Sequence, residues 1–257
     1  MAILTAIITH LEAPAVHRQL DYLRELSPAA RFVVCHGGSR AAFAELADDD
    51  ALFIEDPSLR GPARQQSYNA ILRAVYESRA AADTDIELVY FIEYDHLVVA
   101  SDFERRLEEL AASSPAGLFA KGASRRNDTN WPHFTRYKDD EHVNRFFAEL
   151  SCRDDPGSRW GCLGSGMLLR REALAALAAV PDPPHVYLEM FIPTLVYHLG
   201  FDVLDVDSVC DLYAAVRWKP EHTREEVLAH MRAGRAFVHP YKPPVSTVAA
   251  ARGVLIS

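Results

Sequence analysis

The chain carries two carboxylates one residue apart, Glu93 and Asp95, with His96 directly after them, at the end of the apolar run Leu88-Val-Tyr-Phe-Ile92. Such a run, rich in β-branched and aromatic residues, predicts a strand buried on both faces. Residues i and i+2 of a strand point the same way, so Glu93 and Asp95 would share a face. Two neighbouring carboxylates withdrawn from water repel each other, and a cation is the partner that keeps both ionised. The pattern points to a metal site at the lip of a sheet. A competing reading ends the strand at Ile92 and makes 93–96 a solvated turn, since carboxylates at strand ends are usually exposed. Against it, Leu97-Val-Val99 resumes the apolar pattern at once, which makes the acidic pair an interruption.

Such a rim needs a sheet behind it. Strand patterns at 3–9, 31–35, 52–54 and 87–92 alternate with helix patterns at 15–26, after the Gly37-Gly38-Ser39 turn as far as 46, and at 62–81. That alternation predicts βαβ units with right-handed crossovers and a parallel sheet. Ligands of such sheets sit outside the carboxyl ends of the strands. Thr9-His10, His36, Glu55-Asp56 and Glu93 to His96 would then converge on one rim. His10, His36, Asp95 and His96 are therefore also a candidate zinc set that would activate water in a metal-dependent hydrolase. No H-E-x-x-H signature accompanies them.

Beyond residue 100 the pattern gives a helix at 103–112 and a strand at 117–120. Residues 121–160 break it, mixing charges with Trp131, His133, Phe134, Tyr137, Phe146, Phe147 and Trp160. So many aromatics argue against disorder, and their amphipathic faces suit sugars. A small helix packing Phe146 and Phe147 on the core accounts equally well for part of the segment. Then Gly164-Ser165-Gly166 opens a strand and a helix, and a further helix at 187–199, closed by Gly200, precedes a strand at 201–206.

With 49% hydrophobic and 25% charged residues, the 257 residues suffice for one soluble α/β core. A net charge of -9 argues against nucleic acid as the main partner, and a phosphorylated ligand would need a local basic group or a metal. Cys35, Cys152, Cys162 and Cys210 form no C-x-x-C, so they read as reduced thiols of a cytoplasmic protein. The opening residues lack a basic n-region and read as a first strand, not a signal peptide, and no run is long enough for a transmembrane span.

Taken in order, these features resemble the GT-A fold glycosyltransferases, in a divergent, family-two-like form. In that family a strand ends in D-x-D, whose carboxylates hold Mn²⁺ or Mg²⁺ against the diphosphate of a nucleotide sugar; Glu93-Tyr94-Asp95 stands in that place. Gly61-Pro-Ala-Arg64-Gln65 is similar to the family's A-R-N segment. Gly164-Ser-Gly-Met-Leu-Leu-Arg170-Arg-Glu-Ala-Leu174 resembles its glycine-led strand followed by R-R-E-A-L. Glu189-Met190 stands where inverting members carry an E-D pair, and His239 where some carry a third metal ligand.

The resemblance implies a GT-A-like, Rossmann-type α/β fold with a mostly parallel sheet. It implies one domain over 1–257, with a donor half at 1–100 and an acceptor half at 101–257 that includes the loop 121–160. It implies a metal-dependent transferase moving a sugar from a nucleotide-diphosphate donor to a hydroxyl of a small-molecule or glycan acceptor, with inversion favoured over retention. Asp95, Glu93 and His239 would hold Mn²⁺ or Mg²⁺, and Glu189 would be the base, with Asp182 in reserve. Thr9, His36, Arg64, Glu93, Gly164 and Ser165 would surround the donor. Where many members read D-D-G-S this chain reads His36-Gly37-Gly38-Ser39, so uracil is not implied. A non-catalytic nucleotide-sugar-binding protein of the same fold remains the third reading.

Overall fold

The computed structural model describes residues 2–46, 50–60 and 67–242. Its frame is a seven-stranded sheet. Strands β1 (Ala2–Thr9), β2 (Arg31–His36), β3 (Ala51–Phe53) and β4 (Ile86–Glu93) are all parallel, with β1 between β2 and β4. Beyond a two-residue strand β5 (Leu97–Val98) come β6 (Leu118–Ala120), β7 (Ser124–Arg125), β8 (Trp160–Gly161), β9 (Met167–Arg170), β10 (Val203–Asp205) and β11 (Phe237–Val238). The strand order is β10-β6-β9-β4-β1-β2-β3, and only β9 runs antiparallel to its neighbours.

The alternation of side chains in β4 builds a core on each face. Leu88, Tyr90 and Ile92 pack with residues of α1 (Ala13–Leu26), and Val89 and Phe91 pack on the opposite side with residues of α3 (Asn69–Val75). The short α2 (Arg40–Ala44) lies between these two helices in sequence. The first face is completed by α4 (Phe103–Ala112), which buries Phe103, Leu107 and Leu110. After α5 (Pro132–Tyr137) and α6 (Glu141–Leu150), the second face is completed by α7 (Arg171–Ala178) and α8 (Leu188–His198). Helix α9 (Arg224–Arg232) opens with a capping box, Thr223 with Glu226. No helix among the described residues is long and apolar enough to cross a membrane.

The mostly parallel sheet between helices is as the sequence predicts, with strand ends shifted by a residue or two. Three expectations change. First, β4 stops at Glu93 and the chain turns through Tyr94 and Asp95, where the His96 N–H donates to the Glu93 carbonyl at 2.9 Å. The pleat does not align the two carboxylates; the turn does. Second, 121–160 is not one loop. It holds α5, α6 and the small β7/β8 sheet, and α6 buries Phe147 against Phe191. Third, the helix read at 62–81 has its described part from Asn69, after Tyr68 in the left-handed region at φ 61°, and ends in one wide turn over Tyr76–Ala80. Arg64 lies outside the described residues.

Candidate functional site

Two antiparallel pairings bring distant segments to the carboxyl end of β4. Because β9 runs against β4, its first residues, not its last, lie at the rim, and the Gly166 N–H donates to the Phe91 carbonyl at 3.0 Å. Gly164 and Ser165 therefore arrive beside Glu93. Strand β11 pairs with β5, Val238 opposite Leu97, and the Tyr241 N–H donates to the Asp95 carbonyl at 2.8 Å. That register carries His239 over the turn.

Glu93, Asp95 and His239 each offer a ligand atom, all within 4.8 Å of one another. The Tyr68 hydroxyl donates to Glu93 Oε1 at 2.6 Å. Burial raises the Glu93 pKa; the Tyr68 bond opposes this, the Asp95 charge adds to it, and the net shift is upward. The His239 Nδ1 sits 2.9 Å from the Arg217 carbonyl, which can only accept, so Nδ1 carries a hydrogen and Nε2 faces Asp95 Oδ1 at 3.4 Å. Burial lowers the His239 pKa, but the contact with Asp95 and the charges of Asp95 and Glu93 outweigh it and hold the pKa above its usual value. Despite that approach, Asp95 Oδ1 is buried and makes no hydrogen bond among the described residues.

A buried carboxylate oxygen that makes no hydrogen bond and meets only an imidazole nitrogen at 3.4 Å is costly. A divalent cation between it, Glu93 and a histidine oriented by its other nitrogen removes that cost, and the donor set of carboxylate oxygens and one imidazole suits such an ion. The residues present fit the metal that the resemblance implies.

The cluster lies where two clefts meet. One, of about 650 Å³, is lined by Thr9, Gly37, Gly38, Arg60 and Tyr68. The other, of about 240 Å³, is lined by Gly164, Ser165, Glu189, Trp218, His239 and Lys242. Glu93, Asp95 and Tyr187 border both. A Cβ on Gly38 would fall 2.9 Å from the His10 carbonyl oxygen, and one on Gly164 2.5 Å from the Leu188 side chain, so neither position has room for a side chain.

Glu189 occupies the first turn of α8, but it is not an exposed helix-start acid: its side chain is 13% exposed. The Gly164 N–H donates to Oε1 at 3.0 Å, and Oε2 lies 3.7 Å from His133 Nε2. Burial raises the Glu189 pKa to about 7, against the pull of the Gly164 bond. A carboxylate poised near neutrality at a cleft can take and release a proton. His133 stacks on Tyr187 with centroids 4.2 Å apart, and its own pKa is lowered by burial and Arg136.

The histidines of the candidate zinc set are not assembled. Both His96 nitrogens are committed, Nε2 at 2.9 Å from the Tyr90 hydroxyl and Nδ1 at 3.0 Å from Ser165 Oγ, and burial followed by His239 keeps the ring neutral. His36 is fully buried; it accepts the Gly38 N–H at Nδ1 and donates from Nε2 to the Leu11 carbonyl. It reaches the cleft only through the glycines that follow it. His10 is exposed, edge-on to Tyr94. Of that set Asp95 alone faces the cluster.

Thr9 Oγ1 accepts the Leu11 N–H, so its side chain shapes the strand end. Ser165 links His96 to the Glu93 N–H, at 3.4 Å. Sequence patterns gave no reason to select Tyr68, Tyr187, Trp218 or Lys242. Each stands alone in sequence and gains meaning only from the turn or helix end that carries it to the rim.

No protein-family model matches the sequence, and no curated protein matches it. Among solved structures, the chain is similar to a mannosyltransferase from Pyrobaculum calidifontis in complex with GDP-Man and Mn²⁺, with 18% identity and a TM-score of 0.41 over 79% of this chain and 54% of that one. The chain thus spans about half the length of that protein. It is also similar to an active-site mutant of LgtC, with 16% identity and a TM-score of 0.41 over 95% of this chain and 88% of that one. The fold of this chain stands on its own description, a mostly parallel sheet between two layers of helices.

Proposed function

We propose that this protein is a metal-dependent glycosyltransferase that moves a sugar from a nucleotide-diphosphate donor to a hydroxyl acceptor. The observation that carries the reading is the Glu93, Asp95 and His239 cluster, whose buried Asp95 Oδ1 makes no hydrogen bond among the described residues, at the junction of a large cleft and a smaller one lined by Glu189, a carboxyl with a pKa raised to about 7.

The large cleft, mostly in the 1–100 half, would take the nucleotide. Its glycines let the ligand approach the backbone, Arg60 lines it, and Arg64 is assigned to the diphosphate from the sequence resemblance. Asp95, Glu93 and His239 would hold Mn²⁺ or Mg²⁺; when bound, such an ion supplies charge stabilisation to the departing nucleoside diphosphate. One imidazole beside two carboxylates favours Mn²⁺ over Mg²⁺.

The smaller cleft, mostly in the 101–257 half, would take the acceptor. Gly164 fixes Glu189 Oε1, and the carboxylate would accept the acceptor hydroxyl's proton as that oxygen forms its bond to the anomeric carbon and the diphosphate oxygen leaves. A base acting on the attacking oxygen in a single displacement gives inversion.

The test is a thermal-shift series with UDP, GDP, CDP and dTDP, each with and without Mn²⁺. Stabilisation by at least one of them that depends on Mn²⁺ supports the reading, and none with any would sink it. Mn²⁺-dependent hydrolysis of the corresponding nucleotide sugar then separates an enzyme from a binding protein.

A further inference from the structure

Trp218 is 69% exposed, and the only other large hydrophobic exposed among the described residues is Val209. Val209 lines a different cleft, beside Arg106 and Arg235, so Trp218 belongs to no apolar patch of the kind that marks a protein interface. It lines the small cleft together with Glu189 and His239.

Its backbone is fixed by the metal cluster's own support. The neighbouring Arg217 donates its N–H to the His239 carbonyl at 2.9 Å and accepts the His239 Nδ1–H at its carbonyl. The Arg217 guanidinium holds the Pro220 carbonyl at 2.7 Å and Glu226 at 3.1 Å. The segment that orients His239 therefore presents Trp218 at a set place beside the cleft. Lys219 Nζ covers one face of the indole, 4.2 Å from a ring centroid, which leaves one face to offer.

Ser165, Glu189, Glu221 and Lys242 supply polar groups to the rest of the lining, beside Leu163, Leu188, Pro240 and the Tyr187 ring. An exposed indole face beside this mixture of apolar and hydrogen-bonding groups matches a ligand with an apolar face and polar edges. We infer that the acceptor is itself a sugar, whose ring C–H face stacks on Trp218 while its hydroxyls meet the polar wall that contains Glu189. The inference rests on the transferase reading and narrows its acceptor to a saccharide. It makes Trp218 a specificity-determining residue.

The experiment is saturation-transfer NMR with the methyl glycosides of glucose, galactose and mannose, each added to the full chain with Mn²⁺ and the nucleoside diphosphate that stabilises it. At least one glycoside should receive saturation on its ring C–H protons. Trp218→Ala should weaken its binding about tenfold or more, and Trp218→Phe should retain part of it. Neither variant should change the Mn²⁺-dependent thermal shift, since the side chain lies outside the core. Transfer to no glycoside, or equal transfer in Trp218→Ala, overturns the inference while the nucleotide response leaves the transferase reading standing. Absence of the nucleotide response itself overturns both.

Discussion

Asp95 Oδ1 and His239 Nε2 approach to 3.4 Å because a two-residue pairing of Val98 and Leu97 with Phe237 and Val238 folds the end of the described chain over the turn after β4. The Asp95 oxygen is buried without a hydrogen bond, and the His239 ring is locked by the Arg217 carbonyl with Nε2 inward. Without a cation, a protonated His239 offsets the two carboxylates. With one, the imidazole becomes a neutral ligand.

Asp95→Ala therefore removes the oxygen around which the cluster closes. The wild-type protein should gain about 2.7 kcal/mol at a free Mn²⁺ concentration near 100 times its Kd, read as a rise in Tm. The variant should fold and show no Mn²⁺-dependent rise with any nucleoside diphosphate. A full rise in the variant would remove Asp95 from the metal site.

Exchange of a proton for a cation at His239 fixes a pH dependence. Its folded-state pKa is raised, so its contribution to stability in the ion-free protein is complete below the unfolded value, about 6.5, and is lost as pH rises through the folded value. Metal binding runs the other way. Nε2 must give up its proton, so Mn²⁺ affinity should fall on acidification through that pKa and level off above it. Calorimetry in buffers of different ionisation enthalpy should detect proton release at neutral pH. Affinity that stays constant between about pH 5 and pH 8 would exclude His239 as a ligand.

Glu189→Gln keeps an oxygen for the Gly164 N–H and loses the base. Donor binding should persist and transfer should fall about 100-fold or more. In the parent the pH–rate profile should rise through about 7 as the carboxyl ionises. Stability changes in the opposite sense: a carboxyl pKa raised from 4.5 to about 7 means that stability is lost as pH rises between those values, by something on the order of 3 kcal/mol once the pH exceeds about 7. Gln should therefore raise Tm by an amount that grows from about pH 4.5 to about 7 and is constant above, with little effect below 4.5. Unchanged turnover would end its role as base.

What the sequence made legible was whatever rests on local period and on strand ends. The apolar run before Glu93, the strand and helix alternation and the glycine-led segment at 164 could be read because burial on two faces imposes them. The grouping of Glu93, Asp95 and His239 was reached through resemblance, since a two-residue strand such as β11 has no period to detect. The histidines misled for the same reason. His36 and His96 lie at strand ends as a ligand would, yet whether a ring faces the cleft or the core depends on Leu11, Tyr90 and Ser165, which no spacing rule connects to them. The antiparallel course of β9 was equally hidden, because four apolar residues read alike in either direction.

Gly166→Ala tests whether His96 braces the site or binds metal. Gly166 has φ 83°, a conformation that favours glycine, and an added Cβ would lie 2.8 Å from His96 Cε1 and 3.2 Å from the Tyr90 hydroxyl. Both atoms belong to the buried Tyr90–His96–Ser165 chain, and Ser165 in turn meets the Glu93 N–H. The substitution should cost about 1–3 kcal/mol through backbone strain and displacement of the ring. It should also weaken the Mn²⁺ response, because Glu93 loses part of its support. His96→Asn should lower Tm by a similar mechanism and leave the metal content of the purified protein unchanged, measured by plasma emission spectroscopy. If the parent instead carried stoichiometric zinc that His96→Asn released, the ring would be a ligand and the hydrolase reading would return in place of the transferase.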